Sequence, residues 1–146
     1  MLEFRLETLA TAPAACRLAK AAVAILADSL ADCEIVHDFD LALTEACANA
    51  VRHAYRPGAP GTLQIVLRLF PEEAVEALVI DHGQGPPEDF GSAPPPGPGE
   101  EGGRGLIIIE RLMDRMRLVR ENGTTILSIG KNVGPGHWIA GRSSTC

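Results

Sequence analysis

The stretch TLQIVLRLFPEEAVEALVIDHGQG, residues 62–85, decides the architecture. Residues 62–70 and 74–80 are two runs rich in β-branched and aliphatic side chains. Only Pro71-Glu72-Glu73 separates them. A gap of three residues is too short for the helical crossover that parallel strands need, so the two runs form an antiparallel hairpin. A second hairpin is expected downstream, where residues 115–120 and 124–129 flank Glu121-Asn122-Gly123. Asn-Gly between apolar runs is a strong hairpin signal, because both residues tolerate positive φ.

Outward from these hairpins the pattern changes period. Leu2, Phe4 and Leu6 alternate with Glu3, Arg5 and Glu7, the pattern of a half-buried strand. Thr11-Ala12-Pro13 opens a helix over 13–31, with Leu18, Ala22, Ile25, Leu26 and Leu30 on its apolar stripe. A second helix is expected over 38–55, its stripe formed by Leu43, Ala46, Cys47, Ala50 and Ala54. Residues 85–103 are dense in proline and glycine, and a helix beginning near Gly103 follows them. The order strand, helix, helix, strand, strand, loop, helix, strand, strand favours an α/β sandwich: a mixed, mostly antiparallel sheet covered on one face by helices. A doubly wound fold is disfavoured. The domain is expected over 1–131. Residues 132–146, with the lone Trp138, form a C-terminal tail expected to be loosely attached.

Composition narrows the function. The chain has 146 residues, 46% of them hydrophobic and 4% aromatic, so its core is aliphatic. A net charge of −6 argues against direct nucleic-acid binding, which depends on Lys and Arg neutralising phosphates. Cys16, Cys33, Cys47 and Cys146 lack zinc-ligand spacing and read as reduced, mostly buried thiols of a cytoplasmic protein. The N-terminus lacks signal-peptide character, and the apolar stretch 19–30, broken by Lys20 and Asp28, is too short to cross a membrane.

Three groups of residues carry chemistry. Glu45, Asn49 and His53 recur at four-residue steps and stack along one helix face. An amide oxygen suits Mg²⁺, and a carboxylate beside it suits proton abstraction. Arg52 reads as surface charge. Asp81-His82-Gly83-Gln84-Gly85 follows a strand. Its glycines allow close backbone approach, and Asp81 is placed to accept from an exocyclic amine such as that of adenine. His82 receives no role. Gly99-Glu100-Glu101-Gly102-Gly103-Arg104-Gly105 opens a helix whose free N–H groups suit phosphate, with Arg104 adding charge. The sequence contains neither a P-loop nor a dinucleotide fingerprint.

Taken in order, these motifs resemble the GHKL, or histidine-kinase-like, ATPase superfamily, and most closely its anti-sigma factor serine/threonine kinases. The resemblance spans about residues 4–131. Residues 45–55 resemble the family's N box, 81–85 its first glycine box, 103–114 its second, and Gly123-Thr124-Thr125 its closing Gly-Thr element. The resemblance implies the two-layer Bergerat sandwich, with ATP and Mg²⁺ as cofactors and a lid over about 85–103. It implies Glu45 as catalytic base and Asn49 as metal ligand. The cofactor-binding set is Asn49, His53, Asp81, Gly83, Gly85, Gly103, Arg104, Gly105 and Thr124, with Thr124 supporting Asp81. It further implies a cytoplasmic kinase that sequesters a sigma factor and phosphorylates a serine or threonine of a STAS-like anti-anti-sigma partner. Glu at position 45 separates this branch from sensor histidine kinases, which usually carry Asn there. Two alternatives stay open: a nucleotide-binding regulatory module without transfer, and a stand-alone ATPase. A homodimer, with strand 2–9 as the offered edge, rests on family analogy alone.

Overall fold

The structure, a computed structural model, describes residues 1–54, 61–82 and 104–140. In chain order the elements are β1 (Leu2–Leu9), α1 (Ala12–Ser29), α2 (Cys33–Ala54), β2 (Thr62–Phe70), β3 (Ala74–Asp81), α3 (Arg104–Leu112), β4 (Arg115–Glu121) and β5 (Thr124–Asn132). The strands form one five-stranded sheet in the order β1-β2-β3-β5-β4. Each of its pairings is antiparallel, so the sheet expected to be mostly antiparallel is wholly so. The two hairpins and the long returns supply every reversal, so no parallel pairing arises. The helices lie on one face of the sheet, which makes the fold a two-layer α/β sandwich.

Local chemistry explains the boundaries. The Thr11 hydroxyl accepts from the Ala14 N–H at 3.3 Å and caps α1, with Pro13 in the first turn. Helix α2 starts at Cys33 rather than near residue 38. Asp32 Oδ1 accepts from the N–H groups of Glu34 (3.0 Å) and Ile35 (3.3 Å), an N-cap that lies ahead of the start expected near residue 38. Those two backbone hydrogen bonds, the Ile35 one foremost, together with the His137 side chain, hold the Asp32 carboxyl below its usual range despite the opposing cost of desolvation. Asn122 and Gly123 take φ values of 52° and 77°, the left-handed pair that the tight β4–β5 turn requires.

The sheet's register sorts its side chains into rows. On the helix-covered face, one row runs Phe4–Leu67–Ala77–Ile129–Met116 and the next Leu6–Ile65–Val79–Leu127–Leu118. Phe39, Leu26 and Leu43 are fully buried and fill the layer between sheet and helices. On the opposite face Glu3 bonds Arg68 at 2.9 Å, and Arg68 lies 3.6 Å from Glu76. Strand β1 is less buried than its alternation implies: Leu2 is 54% and Phe4 36% exposed. As the terminal strand it has a neighbour on one side only.

Residues 132–140 are docked, against the expectation of a loose tail. The Ala31 N–H donates to the His137 carbonyl at 2.8 Å, and the Ile139 N–H donates to the Ser29 carbonyl at 3.0 Å. The Trp138 indole N–H reaches the Val133 carbonyl at 2.9 Å, and His137 Nδ1 lies 2.7 Å from Asp32 Oδ2. These bonds tie the tail to the α1–α2 connection, where Trp138 also joins the core.

The cysteines depart from the expected uniform state. Cys33 is disulfide-bonded. Cys16 is a free, exposed thiol and Cys47 a free, buried one, whose pKa burial pushes up to about 12. Cys146 lies outside the described residues. Among the described residues no helix is long and apolar enough to cross a membrane.

Candidate functional site

Helix α2 has two working faces. One buries Phe39, Leu43, Ala46 and Cys47 in the core. The other carries Glu45 and Asn49 one turn apart, with α3 packed against α2. Asn49 is only 7% exposed, which is unusual for a carboxamide. The contact with α3 closes at Gly105. A Cβ built there would stand 2.8 Å from Glu45 Oε2 and 3.1 Å from Asn49 Nδ2. Glycine at 105 therefore allows the first turn of α3 to meet the acid and the amide directly, and any larger residue would push them aside.

The amide is half satisfied. Arg52 Nη2 donates to Asn49 Oδ1 at 2.7 Å, whereas Asn49 Nδ2 is buried and has no hydrogen-bond partner among the described residues. A guanidinium only donates, so the oxygen must face Arg52 and the amide cannot flip to rescue its nitrogen. Arg52, read from sequence as surface charge, is thus a contact of the site. The backbone of His53 belongs to α2, and its side chain lies outside the described residues.

At the end of β3 the sheet's inner face changes character. The last row runs Thr8–Leu63–Asp81–Thr125–Arg120. Asp81 is 4% exposed, and Thr125 opposite it is equally buried. The Thr125 hydroxyl lacks a hydrogen-bond partner among the described residues. Thr124, expected to support Asp81, instead has its hydroxyl 3.1 Å from His82 Nδ1, which gives His82 a partner. Alternation places Thr125 on the inner face with Leu127 and Ile129, a signal present in the sequence that a match to the closing Gly-Thr element alone passes over.

Arg104 is the first residue of α3 and is exposed. Gly83, Gly85 and Gly103, and the lid expected over about 85–103, lie outside the described residues. Among the described residues no group of three or more His, Cys, Asp or Glu side chains could hold a metal ion.

The profile of the histidine kinase-like ATPase domain matches residues 8–131. The chain belongs to that family. Among curated relatives of this ATPase domain, serine-protein kinase RsbW of Bacillus subtilis (strain 168) is 34% identical over 99 residues, covering 62% of this chain and 61% of the relative. RsbW of Oceanobacillus iheyensis is 32% identical over 102 residues, covering 64% of each. The chain thus spans about three fifths of the length of these relatives. In fold it is similar to a crystal structure of the RsbU and RsbW domains of a Mycobacterium tuberculosis protein: TM-score 0.66, 22% identity, 99% of this chain and 35% of that one covered. The histidine kinase domain of the Erythrobacter litoralis EL346 blue-light activated kinase gives TM-score 0.52 at 27% identity, over 67% of this chain and 44% of that chain. Histidine kinase-like ATPase domains use ATP, and the kinase reading rests on relatives named for that activity.

Proposed function

We propose that this chain binds ATP with Mg²⁺, transfers the γ-phosphate to a serine or threonine of a STAS-like anti-anti-sigma protein, and sequesters a sigma factor in the cytoplasm. The observation that carries the reading is the convergence of Glu45, Asn49 and Gly105, with acid and amide pressed against the first turn of α3.

The residues divide the work by their chemistry. Asp81, buried at the end of β3, accepts from the adenine amine, and the Thr125 hydroxyl, without a partner among the described residues, adds a bond beside it. The first N–H groups of α3 have no intrahelical acceptor and face phosphate well, with Arg104 adding charge there. Gly83, Gly85 and Gly103 keep their family roles beside the nucleotide, and His53 and Thr124 flank it.

The donor set fits magnesium. Mg²⁺ takes hard oxygens, keeps several waters and relies on substrate phosphates, so one carboxamide oxygen, that of Asn49, is a sufficient protein ligand. Bound there, the ion would neutralise charge on the transferring phosphoryl group. Glu45, one turn away, is the base that accepts the substrate hydroxyl proton. The partners are inferred from the RsbW relatives, and a homodimer is inferred with them.

Phosphotransfer to a purified anti-anti-sigma partner tests the reading. Glu45→Ala should bind ATP within about twofold of wild type and lose transfer by about 10²–10⁴-fold, the usual worth of a positioned base. Transfer at the wild-type rate would remove Glu45 from the chemistry. Nucleotide binding by the wild type without transfer to any partner would leave a regulatory module.

A further inference from the structure

Arg52 lies one turn beyond Asn49 on α2 and donates from Nη2 to Asn49 Oδ1 at 2.7 Å. That oxygen is the atom the proposed metal site needs. The other end of the amide, Nδ2, has no partner among the described residues and sits where a Cβ on Gly105 would approach to 3.1 Å. The amide is therefore wedged between the guanidinium on one side and the α3 backbone on the other, with its oxygen turned to the cation.

A guanidinium and a divalent ion cannot share one carboxamide oxygen without strong mutual repulsion at such short range. Arg52 can leave without refolding. It is exposed, and it also lines a cavity of about 190 Å³ between α1 and α2, with Ala12, Ala15, Cys16, Cys47 and Val51. A long side chain at such a position can lay its stem on the apolar wall and carry its charge into water.

We propose that Arg52 is a tethered cation that holds Asn49 Oδ1 in the nucleotide-free protein and is displaced by Mg²⁺, so that metal entry and guanidinium release are one event. The inference rests on the reading of Asn49 as the metal ligand. Before metal arrives, Arg52 keeps the carboxamide in its metal-facing orientation, and it opposes the ion at the same atom. It is a positioning residue, acting on the reaction through Asn49.

The test measures ADP affinity by calorimetry, once with Mg²⁺ and once with EDTA, and takes the ratio of the two. In Arg52→Met the ratio should widen on the order of tenfold over wild type, the scale of one charge-assisted hydrogen bond lost from the competing state. Arg52→Lys keeps a cation in reach and should stay near wild type, and it guards against any folding defect of the methionine variant. A ratio unchanged or narrowed in Arg52→Met, with Asn49→Ala abolishing the magnesium effect, overturns the competition and leaves the metal site standing. A wild-type ratio of one removes the metal site itself, and the competition with it.

Discussion

The inner face of the sheet holds two kinds of row. The row Leu6–Ile65–Val79–Leu127–Leu118 is apolar from edge to edge, while Thr8–Leu63–Asp81–Thr125–Arg120, next to it, is polar at all positions but one. The first needs nothing beyond the helices above it. The second buries a carboxylate and a hydroxyl, and that hydroxyl lacks a partner among the described residues. A buried unpaired polar group costs about 1–3 kcal/mol, so a fold selected for stability alone would have filled the row with valine and leucine. The α2 helix repeats the contrast: Phe39, Leu43 and Ala46 face a closed core, and Asn49 is buried with a side-chain nitrogen that has no partner among the described residues. Where the molecule only has to hold together, it is apolar and satisfied. Where it is polar and incompletely satisfied among the described residues, the proposed nucleotide site lies.

Substitutions on the two sides should therefore fail in opposite ways. The largest effect belongs to the apolar side. Phe39 is fully buried, and Phe39→Ala should lower the unfolding free energy by about 3–5 kcal/mol in denaturant melts. The residual folded fraction should keep its nucleotide affinity. An affinity loss as large as the stability loss would mean that core and site are not separable.

Gly105→Ala comes next. Its Cβ would meet Glu45 Oε2 at 2.8 Å, so α3 or the acid must shift. Crowding of this kind costs about 1–3 kcal/mol. The prediction is a larger proportional loss in nucleotide binding than in thermal stability. A variant that binds ATP like wild type would show that the α2–α3 contact is not part of the site.

Thr125→Val is the smallest change and the sharpest, because it makes the polar row resemble its neighbour. Removing a hydroxyl that has no partner among the described residues should leave the nucleotide-free protein as stable or up to about 1 kcal/mol more stable. ATP affinity should fall meanwhile. Destabilisation without loss of affinity would make the hydroxyl a structural group.

The sequence makes some of this contrast legible and hides the rest. The three-residue gap at 71–73 and the Asn122-Gly123 turn are local signals, so both hairpins and the sandwich follow from them. Glu45 and Asn49 share a face because four residues make about one helical turn, a regularity that needs no tertiary information. The start of α2 was hidden, because the Asp32 cap lies six positions before the apparent helix and its bonds to the Glu34 and Ile35 N–H groups leave no trace in the apolar period. The anchoring of the tail was hidden too. It depends on Trp138 and His137 meeting residues about a hundred positions earlier, a pairing that periodicity cannot report. Arg52 looked like ordinary helix-surface charge because a contact three residues away is one of several rotamer outcomes. Thr124 and Thr125 are adjacent and chemically alike, and strand alternation decides which of them faces Asp81.

The central claim is that the polar row centred on Asp81 reads an adenine amine. Calorimetric titration of the wild-type protein with ATP and with inosine triphosphate, both with Mg²⁺, tests it most directly, since the inosine ring carries a carbonyl where adenine carries the amine. The account predicts binding of ATP and an affinity for inosine triphosphate lower by at least about 10²-fold, because the buried Asp81 carboxylate would face an acceptor. Equal affinity for the two nucleotides would contradict it.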